Sequence, residues 1–222
     1  MTDIRWNLLT ERSFAPQRYR IGLVVRGMAR PGAAPPSEGH ADCVLSSGEP
    51  IGFFAETGIP VSGSRGSETA TLGVRTLSAT LAGTVWGYRE LMVHRRAYVD
   101  RAAAAAAGAV STLLAIEVSE RECRQFERAW SSMRVDPGMF GIVGLNCATH
   151  AGYAFAAAGL LTRADSLGRH AATSDMDGLD TPAQLFHQLV RGPANERCEV
   201  YTGFFGFQPA SGWGYRVSFD PR

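Results

Sequence analysis

The sequence predicts an α+β domain, with an antiparallel sheet packed against an Ala-rich helix that carries a cysteine. Three observations predict it. Short alternating segments recur through the first hundred residues and again near the end, which is the pattern of half-buried strands. Helical spacing with capping signals governs the segment between them. The third is Gly144-Leu145-Asn146-Cys147, a turn with an N-cap, which runs directly into Ala148-Thr149-His150-Ala151 and on to Leu161.

Taken in order, Arg18 to Met28 reads as a first strand, and the Pro/Gly-rich run from Ala29 to Glu38 as a loop. A hairpin follows, with His40 to Leu45 as one strand, Ser46 to Glu49 as the turn and Pro50 to Glu56 as the return. Thr57 to Thr71 is rich in Gly and Ser and is expected as an exposed loop. Three strand-like segments are expected at 71–77, 82–88 and 90–99. Asp100 is placed to cap a helix from Arg101 to Leu114, where a run of alanines favours the helical state. Ser119 and Glu122 spell a capping box, and Cys123, Phe126, Trp130 and Met133 then fall at helical spacing, as the core face of a helix ending near Asp136. After the cysteine helix, 162–177 reads as loop, and Thr181-Pro182 opens a helix through Val190. The tail, 199–219, returns to strand-like alternation and is expected to add edge strands or line a groove.

At 222 residues the chain fits a single domain, 1–222, with a core at about 18–190 and a strand-rich C-terminal extension at 199–219. A net charge of +1 without basic blocks gives no electrostatic footprint for nucleic acid. The apolar run Ile21 to Val25 is interrupted on both sides by Arg20 and Arg26, too short for a membrane span. Met1 to Thr10 lacks the apolar stretch and cleavage site of a secretory signal, the pattern of a protein synthesised in the cytoplasm. Four cysteines, at 43, 123, 147 and 198, show neither zinc-ligand spacing nor the density of a disulfide scaffold, so no metal and no cofactor is expected.

Cys147 stands apart from the other three. At a helix N-terminus, unpaired N–H groups and the helix dipole stabilise a thiolate, which is the nucleophilic form. Small residues at 148, 151, 154 and 158 let such a helix sit close to a sheet. His40, at the start of a strand, is the candidate base, since an imidazole need only reach the thiol in space. A third group is expected to orient His40. If the hairpin turns about Gly48, paired residue numbers sum to about 96 and Glu56 faces His40; Asp42, two residues along the same strand face, is the other candidate. Asn146 and His150 are the neighbouring candidates, with the Cys147 N–H, for the oxyanion side. His150, one turn along the same helix, is poorly placed as base and reads as a packing residue.

The Gly-His-Ala strand, the Gly-Phe-Phe of the returning strand and the later Asn-Cys-Ala-Thr-His-Ala helix together resemble the circularly permuted papain-like enzymes. This superfamily includes NlpC-type cell-wall amidases and lecithin:retinol acyltransferase-like proteins, with the histidine strand ahead of the cysteine helix. The likeness runs in outline over about 38–190. It implies a permuted papain-like fold and a cysteine hydrolase acting on peptide or peptidoglycan amides, without a cofactor. It also implies a bacterial antagonistic effector delivered by a type VI secretion apparatus into a neighbour's periplasm, with an immunity protein as partner. A lipid-ester acyltransferase or phospholipase of the same superfamily, and a non-catalytic binding module, are the competing readings.

Overall fold

The computed structural model describes residues 2–4, 6, 19–28, 39–56, 81–96, 98–140, 146–161, 181–210 and 214–222. The expectations for 29–38, 57–71, 71–77 and 162–177 fall outside these residues. The strands are β1 (Thr2–Ile4), β2 (Tyr19–Arg26), β3 (His40–Val44), β4 (Pro50–Ala55), β5 (Leu81–Trp86), β6 (Ser111–Val118), β7 (Met139–Phe140), β8 (Cys198–Pro209) and β9 (Tyr215–Pro221). The helices are α1 (Tyr88–Val93), α2 (Arg101–Ala107), α3 (Glu120–Val135), α4 (Cys147–Ala157) and α5 (Pro182–Arg191), with a 3-10 turn at Asn195–Arg197. Among the described residues the strands form one mixed-length sheet in the order β1-β9-β8-β6-β2-β3-β4-β5-β7. Every pairing is antiparallel. The molecule is α+β, as the sequence predicts.

Alternation along the strands divides the core in two. Ile21, Leu23 and Val25 of β2, Ala41 and Cys43 of β3, Ile51 and Phe53 of β4, and Leu114 and Ile116 of β6 face the layer made by α3, α4 and α5. Val24, Val44, Phe54, Leu113 and Ala115 face the opposite side, with Leu91, Tyr98, Val99, Phe205 and Phe207. The central strands are thus buried on both faces, which is why they read as nearly continuous apolar runs. On the first face Phe126 of α3 packs on Phe155 of α4, ring centroids 4.9 Å apart. Each ring contributes about 2 to 3 kcal/mol by burial, which fixes the cysteine helix to α3.

The capping expectations hold. Asp100 accepts from the N–H groups of Ala102 and Ala103, Ser119 and Glu122 bond reciprocally, and the Thr181 hydroxyl accepts from Gln184. Three expectations differ from the structure. The segment 90–99 is not a strand: Glu90 takes the Gly87 N–H at 3.0 Å and starts α1, a local bond that outweighs the alternation. The alanine helix stops at Ala107 rather than Leu114, because Gly108 takes the left-handed conformation (φ 63°) and Ser111–Val118 is claimed by the sheet between β2 and β8. The tail also differs from an edge: β8 is interior, and β1 lies outermost on that side.

Candidate active site

Cys147 is the first residue of α4. Asn146 caps that helix, its side-chain oxygen accepting from the Thr149 N–H at 3.0 Å. Ala148, Ala151, Ala154 and Ala158 are all buried, and small residues at these positions let α4 approach β3 and β4 closely. His40 is the first residue of β3. The β3–β4 ladder begins at Asp42 opposite Gly52, and beyond that end Ala41 donates its N–H to the Cys147 sulfur at 3.5 Å. The thiol and the imidazole therefore meet where the two strands part, and the His40 side chain hydrogen-bonds Cys147. His40 Nε2 also lies 2.9 Å from Asp42 Oδ1. With Nε2 engaged by the carboxylate, Nδ1 is the nitrogen left to face the thiol.

Burial alone pushes the Cys147 thiol up, but the charge and hydrogen bond of His40 and the Ala41 N–H outweigh it and hold the pKa below the ordinary 9.0. Burial pushes His40 down, and Asp42 and Cys147 together outweigh that, so its pKa lies above 6.5. Each member of the pair thus favours the other's charged form. The other cysteines behave oppositely. All four are free thiols, and burial raises Cys43 well above 9.0, Cys123 to about 11, and Cys198 as well.

Of the two candidates for orienting His40, Asp42 does so. Paired residues of the hairpin sum to 94, as in Asp42↔Gly52 and Val44↔Pro50, not to 96. The reason lies in the turn, where Leu45 and Glu49 close a tight loop with Gly48 at φ 81° and the ladder starts at Val44↔Pro50. On that register His40 falls opposite Phe54, and the two rings stack with centroids 4.5 Å apart. Glu56 is exposed beyond the end of β4, and its N–H is bonded to the Ala82 carbonyl at 2.7 Å. It has no place beside His40.

His150 lies away from the thiol pair. Its Nδ1 contacts the Asn146 carbonyl at 3.0 Å, and its ring stacks on Phe53 at 3.4 Å between centroids. Burial holds its pKa below 6.5. This is the packing role expected from its place on the helix. Asn146 likewise serves the helix cap, and the Cys147 N–H stands in the first turn of that helix.

Several neighbours are not evident from the sequence. Gly52 faces Asp42 so closely that a Cβ there would lie 1.6 Å from Asp42 Oδ1; the carboxylate reaches His40 only because residue 52 has no side chain. Gly52 opposite Asp42 is a sequence signal of this arrangement once the hairpin register is known. Tyr98 is fully buried, and its hydroxyl is turned toward Asp42; burial and that carboxylate raise its pKa well above 10. Phe54 stacks in turn on Trp86 (4.2 Å), and Trp86 on His94 (3.9 Å), a row of rings leading from His40 to the surface. Among the described residues no cluster of His, Cys, Asp and Glu is placed to hold a metal, and no helix is long and apolar enough to cross a membrane. Comparison of the chain with protein-family models, with curated proteins and with solved structures finds no match.

Proposed function

We propose that the chain is a cysteine hydrolase with a permuted papain-like arrangement, in which Cys147 is the nucleophile, His40 the base and then acid, and Asp42 the group that orients His40. The observation that carries this reading is the contrast among the thiols. Cys147 is the one of four whose pKa falls, and it falls because of an imidazole that is itself held by a carboxylate at 2.9 Å. A structural cysteine needs neither partner.

The chemistry runs in two steps. The Cys147 sulfur adds to an acyl carbon, and the oxyanion that forms is met by N–H groups at the start of α4. The C–N bond breaks as His40 delivers its proton to the leaving amine, which departs and leaves a thioester. His40, now neutral, takes a proton from water, and the hydroxide adds to the thioester. Collapse releases the carboxylic acid and restores the thiol and imidazole. Asp42 holds the imidazole in the Nε2–H tautomer through both steps.

The substrate that fits this reading is an amide, in a peptide or in the peptide crosslinks of peptidoglycan. The resemblance to the permuted papain-like enzymes, rather than the site itself, supports the further reading of a bacterial antagonistic effector, exported by a type VI apparatus and neutralised at home by an immunity protein. Digestion of purified peptidoglycan by the wild-type protein and by Cys147→Ala, with the fragments identified by mass spectrometry, tests it. Cleavage by the wild type alone, at one class of amide bond, is the expected result. Equal fragment patterns from both proteins would reject the cysteine mechanism. Release of fatty acid from phospholipid vesicles in place of muropeptides would move the assignment to the lipid-ester branch.

A further inference from the structure

Besides His40 and Asp42, one more charged side chain is buried among the described residues, Arg96, only 5 % exposed. A buried guanidinium is costly, and it is retained where its charge has counterparts. Its place is specific. The Arg96 Cζ lies 4.3 Å from the centroid of Phe54, the ring that stacks on His40, and 5.0 Å from that of Trp86, which stacks on Phe54 from further out. The backbone is bent to put it there. Arg95 adopts the left-handed conformation (φ 52°) at the end of α1, where a side chain is disfavoured, and the Arg96 N–H returns to the Leu91 carbonyl at 3.0 Å.

We propose that Arg96 is a positioning residue of the thiol site: it clamps Phe54 against the His40 imidazole, and its charge completes a buried set of two positive and two negative groups with His40, Asp42 and the Cys147 thiolate. This rests on reading Cys147 and His40 as the catalytic pair. Although burial and the neighbouring Arg26 lower its pKa to about 10, Arg96 stays protonated at neutral pH. The other ionisable groups around the set are Arg26 of β2, Cys43 of β3 and Tyr98. Tyr98 and Cys43 are held neutral by their raised pKa values. Removing Arg96 therefore leaves an excess of buried negative charge once the thiolate forms.

The test is the pH dependence of Cys147 alkylation by iodoacetamide, read by peptide mass spectrometry, in the wild type, Arg96→Met, Arg96→Gln and Arg96→Lys. The neutral variants are expected to move the midpoint up by about 0.5 to 1 pH unit, a fall of about three- to tenfold in rate at pH 7, with Arg96→Lys recovering most of it. Folded neutral variants whose midpoint stays at the wild-type value would overturn the proposal, since lost packing lowers the melting temperature without moving a thiol titration. Failure of both neutral variants to fold would likewise assign Arg96 to folding alone. A wild-type Cys147 that alkylates no faster than Cys43, Cys123 or Cys198 would instead reject the hydrolase reading itself.

Discussion

Replacing Gly52 by alanine perturbs the site without touching any group that does chemistry. The added Cβ would stand 1.6 Å from Asp42 Oδ1 and 2.7 Å from its carboxyl carbon, whereas real Cβ contacts under 3.0 Å are essentially never seen. The oxygen must therefore retreat by about 1.4 Å, from 1.6 Å to the 3.0 Å limit, or the strands must part. Either movement breaks the 2.9 Å contact with His40 Nε2. Loss of a buried, charge-assisted hydrogen bond costs about 2 kcal/mol, or about 6 °C in melting temperature for a chain of this size. His40 then loses the group that offsets its burial, and the Cys147 thiolate loses the imidazolium that stabilises it. A thiol returned to its ordinary range is about 1 % ionised at pH 7, so alkylation of Cys147 there should slow about tenfold or more. Stopped iodoacetamide labelling with peptide mass spectrometry measures the rate, and calorimetry the melting temperature. In an Asp42→Ala background the carboxyl is gone, and Gly52→Ala should cost little more in thiol reactivity; that non-additivity isolates the pair. A Gly52→Ala protein with wild-type alkylation kinetics, or one with additive losses in the double variant, would refute the steric argument.

Three further predictions rest on the same geometry. As pH rises, Cys147 should be alkylated first, with a midpoint below 9.0, whereas Cys123 should wait until about 11; site-resolved labelling across a pH series gives the order. The linked stability has a definite sign. The His40 contribution is fully present below pH 6.5 and lost as pH rises through its raised pKa, and the Cys147 contribution is present above 9.0 and lost as pH falls through its lowered one. Asp42→Asn should reduce amide hydrolysis by about 10²-fold or more, by analogy with other imidazole-orienting carboxylates, whereas Glu56→Gln should leave kcat/KM within about twofold. Steady-state rates on the cleaved peptide decide it, and a large loss in Glu56→Gln with little in Asp42→Asn would reverse the assignment.

The sequence by itself determined the α+β class, the cysteine at a helix start, the histidine at a strand start and the Asp100, Ser119 and Thr181 caps. These depend on bonds within a few residues and on the period of apolar positions, both of which are written along the chain. It placed the hairpin but missed its register by two, and so put Glu56 where Phe54 lies, because a turn's closing pair depends on backbone bonds that residue types do not specify. The alanine run extends no further than Gly108, since the sheet competes for Ser111–Val118 and long-range pairing between β2 and β8 wins over local propensity. Only the tertiary structure decided that Asp42 holds His40, that Gly52 makes room for it, and that Arg96 lies under Phe54. The first is a contact within β3 that only the true register leaves in place of Glu56, and the other two join separate elements, so their chemistry arises from distance and burial in the folded state.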